Sequence, residues 1–588
     1  MRMIVKIWLM LMSMLTMISC SNGLTVEFSN NRSAVVRLGM SGSQCLWLPV
    51  EDGAPAAFID IAGSGTFTVP LRVCLAVDSV QYYMPLRIDE GVKEIRITNC
   101  SFESVAWDAL KLQERNPQEV SRKYRQKIHF TPDIGWINDP NGMVWYDGEW
   151  HLFYQYNPFG ARWSNMSWGH AVSRDLVNWE ILPVALYPDE LGQIYSGSAV
   201  IDKYNTAGFG ENAMVAIYTS SGKYQTQSLA YSTDRGRTFT KYEGNPVLPS
   251  ERADFRDPKV FWHESTSRWI MPLACSDAME FYSSPDLKNW TFESRFGDGY
   301  GCHGGEWECP DLIELPYKDT TKWVLLCSLT RDRHHGSSVQ YFVGDFDGHA
   351  FRCDTPEDET RWISYGRDNY AIVTWSNAPD ERKVAMGWQN NWQYANGKEF
   401  PAHGFRGYMS LAYDMVLTEH KGLPELILRP VPEYDEFFVP VMSVDEILLC
   451  DNYNIYQGSG DSLPLSLECS LSDITADIIG LRIFNNQGEY VEISFNMNRQ
   501  VFSVDRSYSG NCSFHEGFSN ISVAPVSDSD VQSLKVLIDH ASVECFTDIA
   551  ATSDLVFPTE PFSRISFYCI GGSAKVSSLE ISEFNNKK

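Results

Sequence analysis

The 588-residue chain is short of basic residues, with 48 Lys and Arg against 75 Asp and Glu and a formal net charge of −27. A surface with this balance repels polyanions, so the composition argues against a nucleic-acid partner and against electrostatic attraction to an anionic membrane. An acidic surface is compatible with a neutral substrate, although charge alone does not select one.

The chain also lacks a dense cysteine framework. Its 14 Cys are scattered over the whole length and none forms a Cys-x-x-Cys pair. Neither a disulfide scaffold nor a structural zinc site is therefore predicted. We expect no metal and no cofactor.

Long hydrophobic runs are absent apart from one near the start. Arg2 and Lys6 precede an apolar run of twelve residues, Ile7–Ile18, which is too short to span a bilayer and is typical of an export signal. The run ends in Met-Ile-Ser-Cys, which resembles a bacterial lipobox in which Cys20 is lipidated. We interpret residues 1–20 as a lipoprotein signal peptide; the alternative is an ordinary cleaved signal with a chance cysteine. The protein is then exported to the bacterial envelope, periplasmic or surface-facing, with the lipid as its only membrane contact.

Alternation of apolar and polar residues predicts β-structure at both ends of the chain. Residues 21–105 alternate in short runs punctuated by Gly, Ser and Asp, which indicates a small β-rich module. Residues 106–127 are polar and are interpreted as a linker. Residues 431–588 alternate again after a Pro-rich connector and are predicted to form a β-sandwich.

The central region, residues 128–430, contains a loose repeat. Ser173–Trp179 is echoed by Ser284–Trp290 and more weakly by Ser232–Phe239, and Gly344–Gly348 is a candidate for a fourth copy. The Asp residues of successive copies are 52 to 61 residues apart. Repeats of about 50 residues built from short strands indicate a β-propeller. Five or six blades fit this length, and we predict five. The expected fold is therefore all-β throughout.

Three carboxylates in this region stand in distinctive contexts. Asp139 lies in Trp-Ile-Asn-Asp-Pro-Asn-Gly, Asp257 in Arg-Asp-Pro, and Glu308 in Glu-Cys-Pro, with separations of 118 and 51 residues. Glycoside hydrolysis needs two carboxyl groups across the scissile bond, and the inner strands of a propeller can bring distant residues together. A surface turn is the alternative for any one of these motifs taken alone.

Together the three motifs resemble those of the glycoside hydrolase family 32 β-fructosidases, the levanase, inulinase and invertase group. The resemblance runs from about Ile128 to the C-terminus and implies a five-bladed propeller followed by a sandwich; the β module before it is extra. It implies that Asp139 is the nucleophile of a retaining double displacement. It further implies that Asp257 stabilises the transition state through the fructose hydroxyls and that Glu308 is the general acid and base.

The resemblance also implies a set of substrate-binding residues, which are Asn138, Gln155, Trp163, Tyr195, Ser196, Arg256 and Trp388. Three positions depart from the commoner pattern, with Ile137 for Met, Ser164 for Gly and Tyr195 for Phe, and none is a catalytic carboxylate. We expect Asn donors to give Asp139 a low pKa and Arg256 to keep Asp257 ionised. Glu306 is a rival to Glu308 because it lies on the same face of the same predicted strand.

The predicted function is an exo-acting fructan β-fructosidase that releases fructose from levan or inulin, with sucrose as a further substrate. Alternatives are an endo-levanase or endo-inulinase, a fructosyltransferase, and, outside enzymes, a non-catalytic fructan-binding lipoprotein. Loss of one acid would indicate the binding protein, and all three acids are present. The sequence sets neither the linkage, the role of the N-terminal module nor the oligomeric state.

Overall fold

The computed structural model describes residues 17–20, 23–39, 45–332, 334–401, 404–459 and 462–586. Most of the predicted signal peptide, residues 1–16, lies outside these ranges. Cys20 ends the first strand, which pairs with the second. No helix in the described ranges is long and apolar enough to cross a membrane. The thirteen cysteines from Cys45 to Cys569 are free thiols.

The N-terminal module consists of two small sheets around one core. Its elements are β1 (Met17–Cys20), β2 (Leu24–Asn30), β3 (Ser33–Leu38), β4 (Cys45–Val50), β5 (Ala57–Asp60), β6 (Leu71–Val73), β7 (Tyr82–Arg87), β8 (Glu94–Thr98), the helix α1 (Ala106–Ala109) and β9 (Lys111–Leu112). The sheet orders are β1-β2-β3-β8-β5-β6 and β7-β4-β9. Both α1 and β9 lie in the segment that was expected to be a linker. They pack with the module instead, since β9 pairs with β4 and Trp107 is buried in the module's core.

Five antiparallel sheets follow. The first has β10 (Gly135–Tyr146), β11 (Glu149–Asn157), β12 (Ser167–Ser173) and β13 (Trp179–Leu186); the second has β14 (Gln193–Asp202), β15 (Ala213–Ser221), β16 (Gln225–Ser232) and β17 (Thr240–Lys241); the third has β18 (Phe261–His263), β19 (Arg268–Cys275), β20 (Ala278–Ser284) and β21 (Thr291–Phe296). The fourth has β22 (Trp307–Tyr317), β23 (Thr320–Asp332), β24 (Gly336–Phe346), β25 (Phe351–Cys353) and β26 (Arg361–Trp362); the fifth has β27 (Tyr370–Thr374), β28 (Val384–Trp388), β30 (Tyr413–His420) and β31 (Leu423–Pro430). Strand β29 (Phe405–Arg406) pairs parallel to β10, so the chain returns to the first blade after starting the fifth.

The recurring aspartates mark equivalent turns of the first four blades. Asp175, Asp234, Asp286 and Asp347 each lie between the third and fourth strands of their blade. Each carboxylate accepts a hydrogen bond from a backbone N–H of its own turn, at 2.7 to 2.9 Å. An Asp side chain that satisfies local N–H groups in this way stabilises a tight turn, which explains why the repeat is visible in the sequence.

The C-terminal domain is a sandwich of two six-stranded sheets. Its strands are β32 (Phe438–Leu449), β33 (Tyr453–Gln457), β34 (Leu465–Ser472), β35 (Ile478–Phe484), β36 (Tyr490–Asn496), β37 (Val501–Tyr508), β38 (Ser522–Pro525), β39 (Gln532–Ile538), β40 (Ser542–Phe546), β41 (Ala551–Leu555), β42 (Arg564–Ile570) and β43 (Ala574–Phe584). Short 3-10 turns occur at Pro379–Glu381, Pro432–Phe437 and Glu516–Ser519. The prediction of an all-β chain with a five-bladed propeller and a sandwich is confirmed.

Candidate active site

Irregular backbone on three blades brings the three predicted carboxylates together. The register of β10 shifts beside Asp139 and that of β22 shifts beside Glu308, while Asp257 precedes β18 with a φ of 64°. Pro140 and Pro258 directly follow Asp139 and Asp257, whereas Pro310 follows Cys309, the residue after Glu308, which has a φ of 45°. Because proline has no N–H to donate to a ladder, it favours the bulge that turns the preceding side chain out of the sheet.

Asp139 is buried and weakly solvated. Its Oδ2 accepts a hydrogen bond of 2.6 Å from the Ser196 hydroxyl and lies 3.6 Å from Cys309 Sγ. Its Oδ1 is buried without a hydrogen-bond partner among the described residues. Burial, together with the negative charge of Glu308, raises the pKa of Asp139 to about 6. This corrects the expectation of a low pKa: the donors expected from neighbouring Asn side chains are too few to outweigh desolvation.

Asp257 is also buried, and its partner differs from the expected one. Its Oδ2 accepts a hydrogen bond of 3.0 Å from the Cys309 N–H. Burial and the nearby Glu308 raise the pKa of Asp257 to about 7, and Arg256 only partly opposes them. The guanidinium of Arg256 binds Glu308 at 3.0 Å and Asp254 at 2.6 Å. The positive φ at Asp257 separates the directions of these two adjacent side chains, so sequence adjacency misidentified the ion pair.

Glu308 is held from two sides. Arg256 Nε donates to its Oε1, and the Tyr370 hydroxyl donates to its Oε2 at 2.5 Å. The rival Glu306 is exposed and accepts a hydrogen bond of 2.6 Å from the Thr330 hydroxyl. Glu306 does not line the pocket that holds the other acids.

The carboxylates share a cavity of about 300 Å³. It is lined by Asn138, Asp139, Gln155, Trp163, Tyr195, Ser196, Gln225, Asp254, Arg256, Asp257, Glu308 and Trp392. Every residue predicted for catalysis or substrate binding lines it except Trp388. That ring is fully buried and packs 4.7 Å from Trp392 and 5.8 Å from Trp136. Trp388 thus supports the wall from behind, because β28 turns it into the core while Trp392 follows the strand's end and reaches the cavity.

Five residues outside the predicted set belong to this site. Gln225, Asp254 and Trp392 line the cavity, whereas Tyr370 and Cys309 contact the carboxylates. Asp254 could have been noticed because it lies two residues before Arg256, in a run of alternating charge. Tyr370 stands in no motif, and only the register shift in β27 turns it towards Glu308.

The arrangement suits hydrolysis of a neutral sugar. Aromatic rings of Trp163, Tyr195 and Trp392 offer faces for sugar C–H surfaces, while amides and carboxylates offer partners for hydroxyls. Glycoside hydrolysis needs two carboxyl groups that face one scissile bond, and Asp139 and Glu308 line the same cavity.

Comparison with known proteins agrees with this geometry. Residues 129–430 match the model of the glycosyl hydrolases family 32 N-terminal domain, and residues 447–583 match the family 32 C-terminal model. A levanase of Bacillus subtilis (strain 168) is 42% identical over 475 residues, covering 78% of this chain and 70% of the levanase. An extracellular exo-inulinase of Aspergillus awamori is 34% identical over 501 residues, covering 77% of this chain and 93% of its own length.

Solved structures are similar over a comparable share of the chain. The crystal structure of the Aspergillus awamori exo-inulinase has a TM-score of 0.74 at 31% identity, covering 79% of this chain and 99% of that one. A β-fructofuranosidase of Schwanniomyces occidentalis in complex with fructosyl-erythritol has a TM-score of 0.72 at 31% identity, covering 80% and 99%. With its propeller, its sandwich and its three convergent carboxylates, the chain belongs to glycosyl hydrolase family 32 and is a glycoside hydrolase.

Proposed function

We propose that this protein is a fructan β-fructosidase that cleaves terminal β-D-fructofuranosyl residues from levan or inulin. The observation that carries the proposal is the convergence of Asp139, Asp257 and Glu308 in one polar and aromatic cavity. The relatives include a levanase and exo-inulinases, whose names report action on fructans. A further relative at 34% identity is a levanbiose-producing levanase, so relatives alone do not select exo action. The cavity's modest volume, about 300 Å³, favours the end of a polymer as the bound segment.

The proposed reaction is a double displacement with retention. In the first step Asp139 forms a bond to the anomeric carbon, the bond from that carbon to the bridging oxygen breaks, and Glu308 gives its proton to the leaving oxygen. In the second step Glu308 takes a proton from water, which attacks the same carbon and releases the Asp139 carboxylate. The Ser196 hydroxyl orients Asp139 through Oδ2 and leaves Oδ1 without a competing hydrogen bond.

Asp257 and Arg256 have supporting roles in this mechanism. The Asp257 carboxylate is held by the Cys309 N–H and is available to fructose hydroxyls, whose hydrogen bonds strengthen as positive charge develops on the ring. Arg256 and Tyr370 fix the Glu308 carboxyl group from opposite oxygens. A fixed carboxyl group transfers its proton along one direction, which favours the productive geometry.

Product analysis on levan, inulin and sucrose tests the function, with an Asp139→Asn variant beside the wild type. We expect fructose as the only early product from one polymer and no product from the variant. A ladder of oligosaccharides would replace exo with endo action. Polymer binding without any product would overturn the hydrolase mechanism and leave a binding protein. Reaction in the presence of methanol tests retention, since a retaining enzyme yields the methyl β-fructofuranoside.

We further propose that the protein is exported and lipid-anchored through Cys20. Support comes from the apolar run and the lipobox-like sequence that precede this cysteine. A Cys20→Ser variant expressed in a bacterial host tests the anchor. Recovery of the wild type with membranes and of the variant in the soluble exported fraction is the expected result, and equal partition of both would contradict it.

A further inference from the structure

A loop of the first blade connects the N-terminal module to one wall of the sugar pocket. Loop 158–166 connects β11 to β12 and carries Trp163, which lines the cavity. On its other side the loop is part of the module's core, because Phe159 and Ala161 are buried in the same apolar cluster as the strands of the module. The ring of the module's Phe67 lies 5.8 Å from that of Phe159.

Polar contacts hold the loop to the module on either side of Trp163. After it, the Asn165 side chain pairs with the Arg72 backbone in both directions, accepting from the N–H at 2.9 Å and donating to the carbonyl at 2.7 Å. Before it, the Ala161 N–H donates to the Tyr82 hydroxyl at 3.1 Å. The loop is thus fixed to strands β6 and β7 within two residues of Trp163 in both directions.

A module carboxylate also neutralises charge at the base of the loop. The Tyr82 hydroxyl donates to Asp52 at 2.5 Å, and Asp52 lies 3.8 Å from Arg162 and 3.6 Å from Arg406. Arg406 is fully buried in β29, directly opposite Trp136 of β10, and burial lowers its pKa to about 10. A buried guanidinium needs a counter-charge, and among the described residues Asp52 of the module is the carboxylate within 4 Å of it.

The family match does not include this support. The family models begin at residue 129, and the relatives and solved structures named above cover 77% to 80% of the chain. Trp163 lies inside the matched region, whereas Arg72, Tyr82 and Asp52 lie outside it. The Trp163 N–H itself donates to Asn396 of the propeller at 3.3 Å. The loop that carries this pocket residue is therefore held both by the propeller and by an additional part of this chain.

We propose that the N-terminal module is a positioning element of the sugar pocket, and that it acts through Tyr82 and Asn165 on the orientation of Trp163. The identity of the substrate in this inference rests on the proposed function. The module then contributes to substrate affinity without touching the substrate. Trp163 lines the wall and makes no contact with the three carboxylates among the described hydrogen bonds and ring contacts. Its displacement therefore weakens binding of the ground state and of the transition state equally, which raises KM and leaves kcat unchanged.

Two variants and one matched control test the proposal in the full-length enzyme. Tyr82→Phe removes the hydroxyl that accepts from Ala161 and donates to Asp52, and Asn165→Ala removes the paired amide. Tyr83→Phe is the control, since Tyr83 follows Tyr82 on β7, faces the other side of the strand, and has no hydrogen bond to the loop in the described structure. The measurements are kcat and KM on a fructo-oligosaccharide, the Tm, and hydrogen exchange of the peptide that contains loop 158–166.

We expect KM to rise about threefold to tenfold in both variants, the range that the loss of one or two hydrogen bonds gives, with kcat within twofold and faster exchange in the loop. The control is expected to match wild type. Faster exchange with an unchanged KM, or a fall in kcat that follows a fall in Tm, would overturn the positioning role. If the wild type hydrolyses no fructoside, the proposed function fails, and titration calorimetry of the same oligosaccharide still tests positioning, because a Kd equal across all four proteins would overturn it.

Discussion

The buried acids of two regions of this molecule have pKa values shifted in opposite directions. In the pocket, burial raises the pKa of Asp139 to about 6 and that of Asp257 to about 7. At the contact between propeller and sandwich, Asp539 and Glu544 flank the fully buried His129 at 3.1 and 2.7 Å. There the hydrogen bonds from His129 and His540 hold the pKa of Asp539 well below its usual range, and the two acids raise the pKa of His129 to about 9.

The number of hydrogen-bond donors and the sign of the neighbouring charge explain the difference between these pKa values. Asp539 accepts from the backbone N–H groups of Lys127 and Ile128, each at 2.9 Å, in addition to His129. Asp139 accepts from the Ser196 hydroxyl and the Cys309 thiol, and its Oδ1 has no hydrogen-bond partner in the described part of the chain. A buried carboxylate with several donors stabilises the fold, whereas one with few donors costs stability in its charged form and remains reactive. The pocket and the interface therefore use the same residue types for chemistry and for assembly.

The largest expected effect is on activity, from Asp257→Asn. In the proposed mechanism Asp257 stabilises the transition state by its negative charge, which an amide lacks, so kcat is expected to fall by roughly 10³–10⁵-fold on the proposed substrate. Because the raised pKa means that the charged Asp257 costs stability at pH 8, the Tm of the variant is expected to stay equal or rise. Activity assays and thermal unfolding at pH 8 measure both. A clear drop in Tm would show that Asp257 is a structural group and contradict the comparison.

The reverse pattern is expected for His129→Ala at the interface. Removal of the cation leaves Asp539 and Glu544 buried without their shared partner, which destabilises by about 3–5 kcal/mol, while kcat per folded molecule is retained. Denaturant unfolding and activity measure the two effects. His349→Ala is the matched control, since His349 pairs with Glu293 at the surface and such a pair contributes under about 1 kcal/mol. Equal losses in the two variants would contradict a special role of the buried cluster.

The pH dependences of activity and stability are expected to separate in the same way. In the proposed mechanism Asp139 attacks as the carboxylate, so kcat/KM is expected to fall as pH decreases through about 6. The interface behaves differently: the raised pKa of His129 gives stability that is complete below its ordinary value and is lost as pH rises through about 9. The lowered pKa of Asp539 gives stability that is present above its ordinary value and lost in stronger acid. Rate and unfolding measured from pH 4 to 10 test this, and a common midpoint for both would contradict it.

The sequence predicts the blades and the location of the pocket, but not the electrostatics within the pocket. The recurring Asp residues indicated the blades because each satisfies its own turn locally, and the motif around Asp139 indicated the pocket. The pKa of Asp139 could not be predicted, because it depends on burial and on Glu308, 169 residues away in the chain. The partner of Arg256 depends on the φ of the next residue, which sequence does not report. The choice between Glu306 and Glu308 rested on resemblance alone.

The smallest expected effect is that of Glu306→Gln, which tests the choice between Glu306 and Glu308. Glu306 is exposed and is bonded to Thr330, and its pKa is lowered by that hydrogen bond, so it is charged and outside the cavity. Glu306→Gln is expected to change kcat by less than about twofold, since a surface substitution away from the site rarely has a larger effect. Glu308→Gln is its matched partner and loses the proton that the leaving oxygen needs, about 10²–10⁴-fold in kcat. Activated fructosides with good leaving groups should restore much of the rate of Glu308→Gln in the first step, because they depart without protonation. A large loss of kcat in Glu306→Gln, or no recovery of the rate of Glu308→Gln with such substrates, would contradict the assignment of Glu308 as the general acid.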